Sequence, residues 1–161
     1  MLGFITRPQT AEVGHTLANI QENEDYTINH IHQGFIKNAH YTSAKFPADT
    51  SEFKRCSLTE EYIEDFKAPF VKESQLKYAV KLQEIMPVKL NNTLIVIGEI
   101  TDILCNNSAI QLDGYVDIES LNTVMVSGLD SYHTSNRLSR LHYAKPNTVP
   151  TPRSLNGEIE S

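Results

Sequence analysis

The spacing of apolar and polar positions changes several times along the chain, and each change marks an element. Leu2-Gly3-Phe4-Ile5 is a short apolar run of buried-strand length. Arg7-Pro8 ends it, because proline brings no N–H to a ladder and restricts the residue before it. Thr16 to Gln21 has a helical pattern, with Leu17 and Ile20 three apart on one face. Tyr26 to Ile31 alternates as a second strand, with β-branched residues at 27, 28 and 31. Gly34 to His40 predicts a short helix with Phe35 and Ala39 four apart, followed by a hydroxyl-rich connection from Tyr41 that Pro47 stops. Asp49 or Ser51 can cap a helical piece. Ser57 to Glu61 predicts a better one, with Thr59 as N-cap, acidic residues in the first turn, and Tyr62 and Phe66 four apart.

From Leu76 the period becomes two. Leu76, Tyr78, Val80 and Leu82 alternate with Lys77, Ala79, Lys81 and Gln83, as in a half-exposed strand that Pro87 closes. Leu90-Asn91-Asn92 supplies a turn, and Thr93 to Gly98 is nearly continuous apolar sequence suited to a strand buried on both faces, extending to Ile103. Gly98 inside it predicts a bulge or a close backbone approach. Asp113-Gly114 marks a turn, Asp117 to Leu121 one helical turn, and Val124 to Gly128 a further apolar segment. The expectation is one α+β domain, mainly β with a few helices, over residues 1–146. A flexible tail rich in Pro, Thr, Ser and Asn follows over 147–161.

Composition excludes more than it selects. At 161 residues, 40% hydrophobic and 21% charged, the chain is ordinary for a globular domain, and its net charge of −6 argues against a reader of nucleic-acid phosphates. No apolar run approaches a membrane span, and no signal-peptide pattern opens the chain, so the cytoplasm is the expected compartment. Two cysteines without CxxC spacing indicate neither a disulfide framework nor a zinc site.

Candidate chemistry is sparse. A strand that empties through a basic loop into a helix start is an anion site in outline, with Arg7 and His15 adding donors to the helix N-terminus; connecting and capping is the plainer reading. His30 and His32 have a metal-ligand spacing, but no carboxylates accompany them, and a polar strand end is the preferred reading. Ser127-Gly128-Leu129-Asp130-Ser131 lacks the paired glycines of a nucleophile elbow. Thr42 and Ser43 either bond the local backbone or offer hydroxyls to a ligand. Beyond Gly128, Tyr132 and His133 either pack on a sheet edge or face a ligand.

GFITRP, HTLANI and YTINHI resemble the flavin reductase-like proteins with an FMN-binding split barrel. HYTSAKF (40–46), SEF (51–53), LTEEY (58–62), APFVKES (68–74), SGLDSYH (127–133) and RLHYAKP (140–146) continue the resemblance in order. It implies a split antiparallel β-barrel, incomplete at the N-terminus because relatives carry strands before the segment that starts here. A truncated product, a mis-assigned start and a small relative all remain open. It also implies FMN as cofactor, NAD(P)H as electron donor, and a homodimer. The resemblance places FMN phosphate near Arg7, His15 and Thr16, although Gly14 stands where relatives tend to have a basic residue. Thr42 and Ser43 fall near the cofactor, Asn29 joins them as a binder of the ring or ribityl chain, and Tyr132 and His133 approach the flavin or nicotinamide side. The implied activity is NAD(P)H-dependent flavin reduction. The alternative is a degenerate split barrel acting without catalysis as a dimeric flavin-binding or interaction module.

Overall fold

The computed structural model describes residues 1–8 and 15–156. In chain order come β1 (Leu2–Ile5), α1 (His15–Asn23), β2 (Asp25–Asn29), and a 3-10 turn at Gln33–Phe35 leading into α2 (Ile36–Tyr41). Then follow α3 (Glu52–Arg55), β3 (Glu60–Glu61), β4 (Phe70–Val71), β5 (Leu76–Val88), β6 (Thr93–Cys105), β7 (Val124–Ser127) and β8 (Ser131–Thr134). The main sheet is antiparallel, in the order β1-β6-β5-β2; β3–β4 and β7–β8 are separate ribbons. The result is mostly β with a few helices, an open antiparallel sheet rather than a closed barrel. No described helix is long and apolar enough to cross a membrane.

The expected pairing of the two long segments is present over their whole length, Leu76 opposite Cys105 and Val88 opposite Thr93. Asn92, with φ 56°, takes the left-handed position of the turn between them. Two register shifts interrupt the ladder. Thr101 is the extra residue on β6, and Gln83 the extra residue on β5, so one bulge offsets the other and the pairing resumes. Between the two shifts lies Gly98, opposite Leu82. A Cβ there would stand 2.4 Å from both the Tyr26 hydroxyl and Val80 Cγ1, and 3.0 Å from the Lys81 carbonyl oxygen. The close approach expected of this glycine is therefore real.

Leu17 and Ile20 of α1 pack on Tyr26, Val80 and Val96, with Phe4, Ile28, Leu82, Ile85 and Leu94 around them. Leu76, Ala109 and Leu121 make a second cluster under the connection between β6 and β7, and Tyr78 touches both. Alternation along β2 sends Tyr26 and Ile28 into the first cluster and Thr27 and Asn29 to the opposite face.

Several expectations are corrected. The strand expected at Tyr26–Ile31 is Asp25–Asn29, and Asp117–Leu121 is a turn rather than a helix. Strand β5 does not stop before Pro87. Its neighbour β2 pairs only with Lys77 to Lys81, so the far half of β5 is an edge where proline's missing N–H costs no ladder bond. Nor is β5 half-exposed at its start, because Lys77 and Ala79 are buried along with Leu76 and Val80. No helix begins at Thr59. Its N–H donates to both Glu73 carboxylate oxygens at 3.0 and 3.1 Å, Glu60 and Glu61 pair with Val71 and Phe70, and Glu61 meets the Lys77 ammonium. The acidic residues that suggested a helix start serve instead as partners for distant groups. Phe66 packs on Phe70, and Tyr62 is exposed. The one helix of this region is α3, with Ser51 at its N-cap position. Beyond residue 146, the chain bridges Leu141 with Pro152, and the Arg153 N–H donates to the Arg140 carbonyl at 2.8 Å.

Gly98→Ala should destabilise the fold by about 1–3 kcal/mol, since Val80 and the Lys81 backbone leave no room for a methyl group. Tyr26→Phe removes a buried hydroxyl that has no partner among the described groups, and should cost nothing or stabilise slightly. Urea denaturation of both variants checks the pair. A clear loss in Tyr26→Phe would show that the hydroxyl is bonded after all.

Candidate functional site

Thr27 and Asn29, on the outward face of β2, line a cavity of about 350 Å³. Val71 of β4 and Leu58 close one side, Phe35, Ala39 and Thr42 another, and Glu52 and Phe53 of α3 a third. Ile31 completes the apolar lining. The spacing of 35, 39 and 42 places these three on one stripe of the α2 segment. The polar groups are held before any ligand arrives. Asn29 Nδ2 donates to Thr27 Oγ1 at 2.9 Å, Asn29 Oδ1 accepts from the Val71 N–H at 3.0 Å, and Thr27 Oγ1 donates to the Pro69 carbonyl at 2.7 Å. The Thr27 hydroxyl keeps an oxygen lone pair, and Asn29 keeps its second amide hydrogen.

Thr42 Oγ1 donates to the Ala39 carbonyl and Ser43 Oγ to the His40 carbonyl, each at 2.7 Å. The local-backbone reading of these hydroxyls thus holds in the structure, and it leaves their lone pairs available. A second stripe of the α2 segment makes other contacts. Arg7 Nη2 donates to the Ser43 carbonyl at 3.4 Å, and His40 Nδ1 shares a hydrogen bond of 3.0 Å with the Tyr132 hydroxyl. Residues 7, 40–43 and 132 therefore meet at the C-terminal end of α2, with Lys45 exposed just beyond.

The sequence-derived candidates divide accordingly. Asn29 and Thr42 share the cavity, and Arg7, Ser43 and Tyr132 lie on the other stripe of α2. His15 and Thr16 are exposed in the first turn of α1, the helix that follows Arg7 in sequence. Gly14 lies outside the described residues. His133 turns away, its Nε2 hydrogen-bonded at 2.8 Å to Ser127 Oγ within the hairpin. Neighbours on a strand point to opposite faces, so Tyr132 and His133 cannot both look toward α2. Sequence reasoning missed His40 and the walls at Phe53, Leu58 and Val71. The signal for His40 was its position three residues before Ser43 on one helix face.

The paired histidines do different work. His32 Nδ1 accepts the Gly34 N–H at 3.0 Å, so its Nε2 carries the proton and donates to the Glu73 carbonyl at 2.9 Å. This clamps the turn into α2. His30 packs edge-on against Tyr78, ring centres 5.4 Å apart, and burial pushes its imidazole below the ordinary 6.5. No described residues form a group of three or more side chains able to hold a metal ion. Burial opposes the charge on Glu73, but the hydrogen bonds from Thr59 outweigh it and hold the carboxyl below its usual range.

The family model described as flavin reductase like domain matches residues 2–118. A solved protein of Shewanella frigidimarina NCIMB 400, described as a flavin reductase with split barrel domain, is 48% identical with a TM-score of 0.82, over 88% of this chain and 70% of that one. The nitrilotriacetate monooxygenase component B of Bacillus cereus is 18% identical and shares the fold, with a TM-score of 0.75 over 86% of this chain and 70% of its own. A protein of Aquifex aeolicus (strain VF5) is 27% identical over 73 residues, 45% of this chain and 37% of that relative's length.

His30 yields a test of sign. A base whose folded value is depressed binds fewer protons folded than unfolded between that value and 6.5, so stability rises with pH across the window. The urea midpoint of the wild type should fall as pH is lowered through 6.5, and His30→Gln should flatten that part of the slope. An identical slope in the variant would show that His30 does not titrate with folding.

Proposed function

The chain belongs to the flavin reductase-like family, and from that premise we propose that it is an FMN-binding oxidoreductase that takes electrons from NADH or NADPH. The observation that carries the reading is the meeting at α2 of an apolar-walled cavity with a cationic corner at Arg7. Those residues suit FMN chemically. A planar ring system needs apolar walls, which Ile31, Phe35, Phe53, Leu58 and Val71 supply. Its polar edge shows both donors and acceptors, matched by the spare Asn29 amide hydrogen and the lone pairs of Thr27 and Thr42. Its phosphate is an anion, for which Arg7, His15, Thr16 and the N-terminal end of α1 are the candidates.

When bound, flavin supplies the hydride chemistry. The side chains of this chain bind, orient and exclude water. That division of labour needs no acid–base triad. Tyr132 completes the reading at the far end of α2, whereas His133 is left out of it.

The same reading assigns a homodimer. Among the described residues, strand β1 pairs with β6 on one side only, and Ile5 at its end is 65% exposed. An uncovered edge of this kind favours a partner. A second copy is the expected partner, and a monodisperse monomer by light scattering at micromolar concentration would overturn the assignment.

FMN differs from riboflavin by its phosphate, so only FMN should feel the loss of Arg7. A charge-assisted hydrogen bond contributes roughly 1.5–3 kcal/mol, which makes Arg7→Ala about ten- to a hundredfold weaker for FMN. Riboflavin affinity should be unchanged. Titrating wild type and variant with both flavins gives the four constants that decide. Equal losses would make Arg7 a fold residue. A colourless wild type that ignores added FMN would favour the non-catalytic alternative.

A further inference from the structure

The β3–β4 ribbon carries the Val71 wall of the cavity, yet it is fastened to the main sheet by side chains. Among the described residues, no backbone–backbone hydrogen bond joins residues 59–73 to that sheet. Three side chains on one face of the sheet reach the ribbon. Thr27 Oγ1 donates to the Pro69 carbonyl, and Asn29 Oδ1 accepts the Val71 N–H. The Lys77 ammonium meets Glu61 of β3 and donates to the Lys72 carbonyl at 3.4 Å. Asn29 and Lys77 are opposite one another on β2 and β5, so their side chains stand side by side. Thr27 and Asn29 line the cavity, whereas Lys77 is buried behind them and Glu61 is partly exposed.

The ribbon decides what Asn29 offers a ligand. A backbone N–H only donates, so the Asn29 atom that meets Val71 is the amide oxygen. The amide nitrogen is left with one hydrogen on Thr27 and one free. With the ribbon swung away, the amide is free to turn over and present its oxygen instead. We propose that Lys77 is a positioning residue: by holding Glu61 and the ribbon to the sheet, it keeps Asn29 turned as a hydrogen-bond donor, so that the cavity selects a ring with an acceptor at that edge. The proposal rests on the flavin reading above and deepens it by naming what orients the ring. A buried ammonium parted from its carboxylate is costly, so the ion pair holds the ribbon to one position.

The test uses the full chain as wild type, Lys77→Met, Lys77→Arg, Asn29→Asp and the double variant Asn29→Asp/Lys77→Met, with riboflavin and FMN as ligands. Lys77→Met keeps an apolar stem and removes the charge. Without ligand, amide exchange across residues 59–73 should quicken in Lys77→Met and stay unchanged along the β5–β6 ladder. Riboflavin and FMN should both bind that variant about fivefold more weakly, the worth of one neutral hydrogen bond. Lys77→Arg, which restores the charge, should recover most of both effects. Asn29→Asp keeps an oxygen for the Val71 N–H and removes the donor. It should lose at least as much flavin affinity while the ribbon exchanges as in the wild type. The double variant should bind flavin no worse than Asn29→Asp, because both changes act on one hydrogen bond. Additive losses would place the effect in the packing of the wall and overturn the proposal. Unchanged exchange and affinity in Lys77→Met, or a loss confined to FMN, would overturn it while leaving the flavin reading intact. A wild type that binds neither flavin would overturn the flavin reading and this proposal with it.

Discussion

The antiparallel ladder between β5 and β6 is the constraint on which the rest depends. It spans both strands from end to end, and every other strand of the main sheet attaches to one of them, β1 to β6 and β2 to β5. Its two offsetting bulges bend the pair without losing the register. At the bend Tyr26 and Val80 come so close that a side chain at position 98 would clash with them. Because β2 is hung on the ladder in one register, its alternation divides the molecule. Tyr26 and Ile28 go to the core with α1, and Thr27 and Asn29 go to the cavity. A slip of one residue would exchange core and site.

The outer wall of the cavity depends on charge as much as on packing. The chain from α3 to β4 leaves the sheet and returns with little regular structure of its own. It is pinned by Glu61 on the buried Lys77 ammonium, which also donates to the Lys72 carbonyl at 3.4 Å, and by Glu73 on the Thr59 N–H. An ammonium taken out of water is costly unless it is paired and hydrogen-bonded, so Lys77 holds this excursion to one position. Leu58 and Val71, at the two ends of the pinned stretch, are cavity walls.

A comparable arrangement fastens the chain after β8. Tyr115 meets two guanidinium groups, with Arg140 4.4 Å and Arg137 5.0 Å from its ring centre. Arg140 and Arg153 share the Asp113 carboxylate, and Arg137 reaches Asp117. The hydrogen bond from Arg140 holds the Asp113 carboxyl below its usual range. Arg137 and Arg140 also donate to the carbonyls of Leu155 and Ser154. These contacts tie the C-terminal segment to the connection between β6 and β7, the piece of chain that delivers the hairpin bearing Tyr132.

Whatever local periodicity and turn chemistry control is legible in the sequence. It specified β1 up to Arg7-Pro8, the face of α1 carrying Leu17 and Ile20, the long paired strands around the Asn91-Asn92 turn, and the special status of Gly98. Each of these follows from side chains two to four residues apart, where alternation, helical spacing and steric limits act directly. Its ordered series of family-like segments also named candidate residues, of which folding places Asn29 and Thr42 in the cavity and brings Arg7 to the Ser43 carbonyl. The tertiary structure alone decided the rest, because the deciding partners are remote. Thr59 is drawn from a helix start by Glu73, 14 residues on, and Glu61 is held by Lys77, 16 residues on. Pro87 stays inside a strand because β2 ends short of it and leaves that half of β5 an edge. Tyr132 rather than His133 faces α2, where its hydroxyl shares a hydrogen bond with His40, 92 residues earlier. A residue's own neighbourhood in sequence carries no information about a charge or hydrogen-bond partner that only folding brings within 3 Å.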